Sequence, residues 1–418
     1  MGVWSAISAA QRGASVALVD QFEPGHSRGS SHGDGRIFRL AYEQDRYVDM
    51  MEHSLPLWKG LERAAGRPLL ATTGGVTVAQ RGSTNRNDGL RALYERRGIA
   101  HETLSAHEMN ARFPQFSLAT NLEALYQPDF GVIFATKAIC AAWDYARSLG
   151  VKTCVPFRAS AFRTDGSDNE VLVLSEQGAA IRARSLILAP GAWLSDLAAS
   201  FFGLTIPTRV SAETVCFYAP AGEARDGELR PDHSYHSMPV FIFQTDNGVE
   251  GMSEMGYYGV PMIDVPGIKA SAHYCGPTVH PDARPASAGG PVEVCGATLA
   301  GSEAEASAAA RVSSVVESTS RLISENFPHV EHVPFETQSC LYTSTPDHDY
   351  VLGCVPGLES RVVLAGGGSG HAFKMGPAIG EMAAAAALKY DAPLPLEPFS
   401  LERLISGRLP DERRAGRR

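Results

Sequence analysis

The chain has 418 residues, 44% apolar and 20% charged, which excludes wholesale disorder. At roughly 150 residues per domain this length predicts two or three structural units. With 37 basic and 46 acidic residues the net charge is −9, and no long basic run precedes the last residues, which argues against a nucleic-acid partner.

No apolar run approaches the ~18 residues that a membrane span needs. The first residues lack the basic and apolar regions of a secretory signal, so a soluble cytoplasmic protein is expected. Seven cysteines (140, 154, 216, 275, 295, 340 and 354) are dispersed without a Cys-x-x-Cys pair, which argues against a disulfide framework and against structural zinc. Of the 37 basic residues only six are Lys, so a Lys inside a Gly-rich or aromatic loop stands out.

In chain order, residues 1–20 predict a helix and then a short buried strand, ASVALVD, that ends in Asp20. This is the second half of a βαβ dinucleotide unit, in which a helix N-terminus meets a pyrophosphate and an acid meets the ribose. The first strand and the Gly-x-Gly of the fingerprint are missing ahead of Met1, with Gly2 standing as the candidate third glycine. A polar loop, EPGHSRGSSHGDGRIFRLAY, is expected to run into a helix. A helix follows over 45–65, then a strand within 68–80, and a strand followed by a helix over 129–144. Further strands are expected at VKTCVPF and VLVLSE, and at LILAPGAW as a buried parallel strand turning tightly against a ligand. Residues 209–280 read as strand-rich and aromatic. Residues 281–310 read as a flexible Ala/Ser/Gly insertion and 311–326 as a helix. The buried strand RVVLAGG then leads through GSGHAFKMGP into a helix starting near Pro377, and 408–418 reads as a solvated basic tail.

Four segments carry chemistry. RVVLAGGGSGHAFKMGP is a strand, a Gly-rich turn and a helix start, an arrangement that presents backbone N–H groups to electron-rich ligand atoms, with His371 and Lys374 in the turn. On its own residues Cys340 reads as a buried structural thiol beside a hydroxyl-rich turn. His32, Arg36 and Arg39, at i, i+4 and i+3 spacing, would put two Arg on one helix face, suited to a carboxylate. Tyr258, Lys269 and His273 lie in one hairpin-like segment.

Taken together, HSRGSSHGDGRIFRLAY, QPDFGVIF, LAPGAW, GYYGVP, SCLYTSTPD and GSGHAFK resemble, in order and spacing, the sarcosine oxidase / N-methyltryptophan oxidase / L-pipecolate oxidase family of FAD-dependent amine oxidases. The resemblance runs from Met1 to about Leu404, and HSRGSSHG leans towards the sarcosine/pipecolate branch. It implies a mixed α/β fold in two domains: a glutathione-reductase-type FAD domain with a truncated Rossmann βαβ unit (1–75, 136–208 and 335–404), and a catalytic domain with a mixed or antiparallel sheet (76–135 and 209–334). Residues 284–305 have no counterpart in the family pattern.

The resemblance assigns roles residue by residue. Cys340 would carry FAD covalently. Lys374 and Arg39 would bind the substrate carboxylate, with His371 beside the flavin. His32 and Arg36 would lie over the isoalloxazine, and Lys269 would activate oxygen, a fixed ammonium lowering the cost of the negative charge that develops on it. Tyr258, His273 and Tyr342 would line the substrate pocket. Asp20 would take the ribose, and Gly2, Ser30, Ser31, Gly191, Trp193, Gly368 and Gly370 would make further cofactor contacts. The reaction implied is oxidation of a secondary amino acid to an imine that water hydrolyses, with O2 reduced to H2O2, by a monomer that needs no metal. The rival expectations are a dehydrogenase using another electron acceptor and a flavin-free remnant. The chain ends in Gly416-Arg417-Arg418, so peroxisomal import by a Ser-Lys-Leu-type tripeptide is not expected.

Overall fold

The computed structural model describes residues 1–82, 86–165, 170–222, 230–283, 303–358 and 361–405. Helix α1 (Gly2–Gln11) and strand β1 (Ala17–Val19) open the chain as the sequence predicts. The predicted helix carrying Arg36 and Arg39 does not form: Arg36 lies in strand β2 (Gly35–Phe38), and Arg39 follows directly after it. The GRIF stretch of β2 pairs antiparallel with VIF at 132–134, so sheet pairing overrides the helical spacing. The helix starts only at α2 (Asp45–Ala65), where Asp45 enters the first turn and Gly66 closes the last.

There follow β3 (Leu70–Thr72), β4 (Gly75–Gln80), α3 (Asp88–Arg97), β5 (Glu102–Ser105), α4 (Ala106–Arg112), β6 (Leu122–Gln127), β7 (Gly131–Phe134) and α5 (Ala135–Ser148). Next come β8 (Lys152–Cys154), β9 (Ala159–Asp165), β10 (Glu170–Ser175), β11 (Ala180–Ala183), β12 (Leu186–Leu188) and α6 (Leu194–Phe202). The aromatic region gives β13 (Arg209–Tyr218), β14 (Val240–Phe243), β15 (Tyr257–Val260) and β16 (Ile268–Ala272). Helix α7 (Glu303–Asn326) begins eight residues before the expected start at 311, because EAEASAAA extends it with strong helix formers. Residues 303–310 are therefore helix rather than flexible insertion, while 284–302 and the tail 406–418 lie outside the described residues. The chain closes with β17 (Glu336–Ser344), β18 (Val351–Cys354), β19 (Val362–Gly366), α8 (Gly376–Leu388) and α9 (Glu402–Ile405).

Two small sheets contain parallel strands: β1 pairs with β8, and β12 with β19, whose other edge takes β18 antiparallel. Helices α1, α8, α2 and α5 pack together in the largest core. The α1–α8 approach depends on Gly380, since a Cβ there would stand 2.4 Å from the Cβ of Trp4.

The other large element is an eight-stranded sheet in the order β17-β13-β16-β15-β14-β4-β6-β5, antiparallel except between β14 and β4. One face carries Cys216, Tyr218, Phe241, Phe243, Ile268 and Ala270, which pack against Leu322, Ile323 and Phe327 of α7. Burying that face fixes the register of all the central strands, so the alternate side chains must point to the opposite face. Among the described residues no helix is long and apolar enough to cross a membrane.

Candidate active site

The opposite face of the sheet is the floor of a cavity of about 600 Å³. Strand β17 presents Cys340 and Tyr342 two residues apart, hence on one side. Strand β13 sets Glu213 directly opposite Cys340 and Ser211 opposite Tyr342. On the next strand Lys269 faces Phe217, and Tyr258 on β15 pairs with Ser271. Lys269, Tyr258, Cys340 and Tyr342 all line the cavity, as does His273 just beyond β16. His273 Nδ1 lies 3.2 Å from the Tyr342 hydroxyl.

The roof comes from β2 with the residues after it, and from the turn before α8. Arg36, Arg39 and Tyr42 approach from the first, and Gly370, His371, Phe373 and Lys374 from the second. The Arg36 guanidinium donates to the carbonyls of Gly35 and Ser30 and stands 5.9 Å from the Phe373 ring. Arg39 stands 4.9 Å from the Tyr42 ring centre and Lys374 Nζ 5.4 Å from it. The turn is anchored by the Trp58 indole, which donates to the Lys374 carbonyl at 2.7 Å and stacks on Phe373. Gly370 has φ +72°, and a Cβ there would sit 2.5–2.9 Å from the Tyr342 ring, so only glycine lets the turn close over that tyrosine.

The site is strongly electropositive. Lys374 is 6% exposed, and burial, aided by Arg39, pushes its ammonium well below the usual lysine range. Among the described residues neither Lys374 nor Arg39 forms an ion pair with an acid. Lys269 is 4% exposed, and burial followed by the charge of Arg36 brings it down to about 7. Its one hydrogen bond among the described residues goes to the Gly35 carbonyl at 3.2 Å, which leaves two N–H donors for a ligand or water. Burial, with Arg39, His348 and Lys374, lowers His273 to about 3, so this imidazole is neutral across the working range. Tyr258 and Tyr342 are raised by burial and stay protonated.

A second cavity, of about 1650 Å³, runs along the start of α1 and the edges of β1 and β12. Gly2, Asp20, Ser30, Ser31, Gly191 and Trp193 line it. The Asp20 carboxylate accepts from the Phe22 amide at 3.0 Å. Ser30 joins the two cavities: it lines the larger one, and its hydroxyl donates at 2.6 Å to the Leu341 carbonyl, between Cys340 and Tyr342 of the smaller one. An elongated dinucleotide reaching from Asp20 past Ser30 to Cys340 therefore fits the residues present. It would bring its redox ring to the cationic chamber and its phosphates to the start of α1.

Two of the residues singled out in the sequence lie off these walls. His32 is buried and lines neither cavity, and Gly368 sits behind, close to Ala372 and the Met1 side chain. His371 lines the chamber, held by the Tyr350 hydroxyl at 2.8 Å and the His348 carbonyl at 3.1 Å. The sequence reading missed Tyr42, Glu213 and Tyr274. Tyr42 follows directly on RLA, and Glu213 stands out as a lone acid in the alternating strand SAETVCFY. Tyr274 has φ +60°, donates to the Ser369 carbonyl and packs on Tyr342. No local pattern marks it.

A two-layer chamber joined to a dinucleotide groove is the plan of a flavoprotein oxidoreductase. The chain belongs to the DAO family of FAD-dependent oxidoreductases, whose family model matches residues 1–386. It is 26% identical over 405 residues to human peroxisomal sarcosine oxidase, covering 97% of this chain and 94% of that one. It is 28% identical to the monomeric sarcosine oxidase of Bacillus sp. (strain B-0618), covering 96% and 93%. Two solved structures share the fold: the amino acid oxidase NikD (TM-score 0.75, 20% identity, 95% and 94% covered) and the L-proline dehydrogenase of P. horikoshii (TM-score 0.73, 20%, 97% and 95%). The protein is an FAD-dependent oxidoreductase whose similar curated relatives include sarcosine oxidases.

Proposed function

We propose that this enzyme oxidises a small secondary amino acid, N-methylated or cyclic, such as sarcosine or pipecolate, and reduces O2 to H2O2. The observation that carries this reading is the pair Arg39 and Lys374. Lys374 is buried and Arg39 half-buried, and the two converge on one aromatic ring without an acid between them among the described residues, a pair suited to an anion from outside. A substrate carboxylate supplies it. Bound FAD supplies a two-electron acceptor for the substrate C–N bond.

The chain's own groups do the rest. Arg39 and Lys374 fix the carboxylate through charge-assisted hydrogen bonds and so orient the neighbouring C–N bond. Neutral His273, bonded to the Tyr342 hydroxyl, forms with Tyr258 an amine pocket that adds no positive charge to repel an ammonium. Lys269 directs its two remaining donors into the chamber, where its charge stabilises the negative charge that develops as O2 is reduced. Arg36 and His371 hold the cofactor ring, the Cys340 sulfur carries FAD covalently, and His32, which lines neither cavity, is given no place over the ring. Gly2, Asp20, Ser30, Ser31, Gly191 and Trp193 hold the rest of the dinucleotide, with Gly368 and Gly370 shaping the turn above the ring. We further propose that the enzyme is a monomer divided as the sequence reading has it: an FAD domain of 1–75, 136–208 and 335–404, and a catalytic domain of 76–135 and 209–334. The ends of β17 (residues 336–344) then carry the sheet of the second into the first.

Acid precipitation of the purified, FAD-loaded enzyme tests the cofactor reading: yellow colour is expected in the pellet and, for Cys340→Ala, in the supernatant. Oxygen uptake with sarcosine, pipecolate and proline then tests the reaction. Substrate-dependent dye reduction without oxygen uptake would turn the reading towards a dehydrogenase.

A further inference from the structure

We propose that Asp34 is a positioning residue of the oxygen-reducing site, holding the Lys269 ammonium charged and fixed against the cavity wall. This rests on the role given to Lys269 above. Asp34 stands at the junction of three segments. Its own carbonyl accepts from the Ala135 amide at 3.1 Å, and Gly33 beside it is tied to Thr136, so one side of the turn is locked to the start of α5. Its carboxylate accepts from the amides of Asp264 (3.2 and 3.3 Å) and Val265 (3.3 Å), in the loop that leads into β16. Lys269, four residues beyond Val265, returns the tie by donating to the Gly35 carbonyl. The same two segments are therefore stapled twice, once by the Asp34 carboxylate and once by the Lys269 ammonium, whose acceptor carbonyl belongs to the residue next to Asp34.

The charges around Lys269 show why the acid matters. Burial and then Arg36, on β2, oppose the ammonium, whereas Asp34 favours it; Cys340, on β17, would favour it only as a thiolate, a form that a thioether to FAD excludes. Val260 on β15 and Phe217 on β13 are the neutral cross-strand neighbours of Lys269, and Tyr258, two residues before Val260, is a neutral phenol. Asp264 also approaches Asp34, but its charge is met by Lys137 at 2.6 Å. Among the described residues Asp34 has no ion-pair partner of its own. Two neutral amides fill its acceptor sites, and its net charge is left to act on Lys269.

The scarcity of lysine makes the test direct. Protein loaded with FAD and labelled with 13C at the lysine ε-carbon gives signals from only six side chains, and Lys269→Met assigns the one of interest. In Asp34→Asn, which keeps an acceptor oxygen and loses the charge, the Lys269 titration midpoint is expected to fall by about one pH unit. At pH values above that midpoint, reoxidation of the photoreduced enzyme by O2 is expected to slow by about tenfold, while anaerobic reduction by substrate changes by no more than about twofold. Asp34→Ser, also uncharged, should show the same shift, and circular dichroism melts of both variants identify a folded protein. An unchanged lysine midpoint in either folded variant overturns the proposal and leaves the role of Lys269 standing. Reoxidation of Lys269→Met at the wild-type rate overturns both.

Discussion

Arg39 and Lys374 stand over the same phenol, that of Tyr42, at 4.9 and 5.4 Å from its ring centre, although 335 positions of chain separate them. Each lowers the cost of holding an anion there and raises the cost of leaving the place empty. A charged hydrogen bond contributes about 1.5–3 kcal/mol, so Lys374→Met should raise KM for sarcosine by roughly ten- to a hundredfold. Steady-state oxygen uptake measures it. Because burial and Arg39 already favour loss of the Lys374 proton, wild-type KM should rise as the pH rises, and this dependence should vanish in Lys374→Met. An unchanged KM would place the carboxylate elsewhere.

His273 is held neutral by burial and, after it, by the neighbouring Arg39, His348 and Lys374, with its titration near 3. A group with so low a value contributes no ionisation between about pH 5 and 9. His273→Gln is expected to lower kcat/KM by disturbing the Tyr342 contact while the pH profile keeps its shape. Loss of an acid limb in the variant would show that the imidazole does titrate.

Glu213 is a buried carboxyl held by the Ser211 hydroxyl at 2.5 Å and the Gly276 amide at 3.0 Å. Burial raises it above its unfolded value despite those bonds. The folded state therefore binds this proton more tightly than the unfolded chain does. The stability it contributes is full below the unfolded carboxylate value and is lost as pH rises through the folded one. Glu213→Gln removes the titration, its oxygen accepting from the Gly276 amide and its NH2 donating to a reoriented Ser211 hydroxyl, so it should raise the melting temperature at pH 8 more than at pH 5. Equal shifts at the two pH values would contradict this.

Gly370→Ala combines a left-handed backbone, about 1–2 kcal/mol for a residue with a Cβ, with a collision against the Tyr342 ring. Thermal melting should fall by several degrees and the retained flavin should drop. Gly203→Ala is the control: its φ is +64° but nothing lies within 4 Å of the added carbon and it lines neither cavity, so it should show the backbone cost alone.

Much of this was legible in the sequence where period and neighbours agree. GYYGVP and GIKASAH form the β15–β16 hairpin because alternation and β-branched or aromatic content both say strand, and that alternation brings Tyr258, Lys269 and His273 to one face. GSGHAFKMGP is read as a strand-turn-helix from its glycines and Pro377. GDGRIFR was misread because i, i+3 and i+4 spacing is compatible with a helix until a partner strand is known, and VIF lies almost a hundred residues away. Arg39 reaches Tyr42 because the strand ends at Phe38 and the chain turns there, which spacing does not encode. Tyr274 reaches the Tyr342 wall through tertiary contacts alone, whereas Glu213 is marked only as a lone acid in its strand, with its partner Cys340 set by sheet pairing.

The anchoring of the Lys374 turn by Trp58 has an optical consequence. Trp4 meets Trp58 edge-on at 5.0 Å, and Trp58 stacks on Phe373, so two indoles adjoin the chamber wall. Trp143 and Trp193 line the larger cavity, which accounts for all four tryptophans of the chain. A flavin absorbs in the region where indoles emit. Every indole thus lies close enough to pass its excitation to the cofactor, and the dimming of intrinsic fluorescence will follow FAD entry in real time without any label.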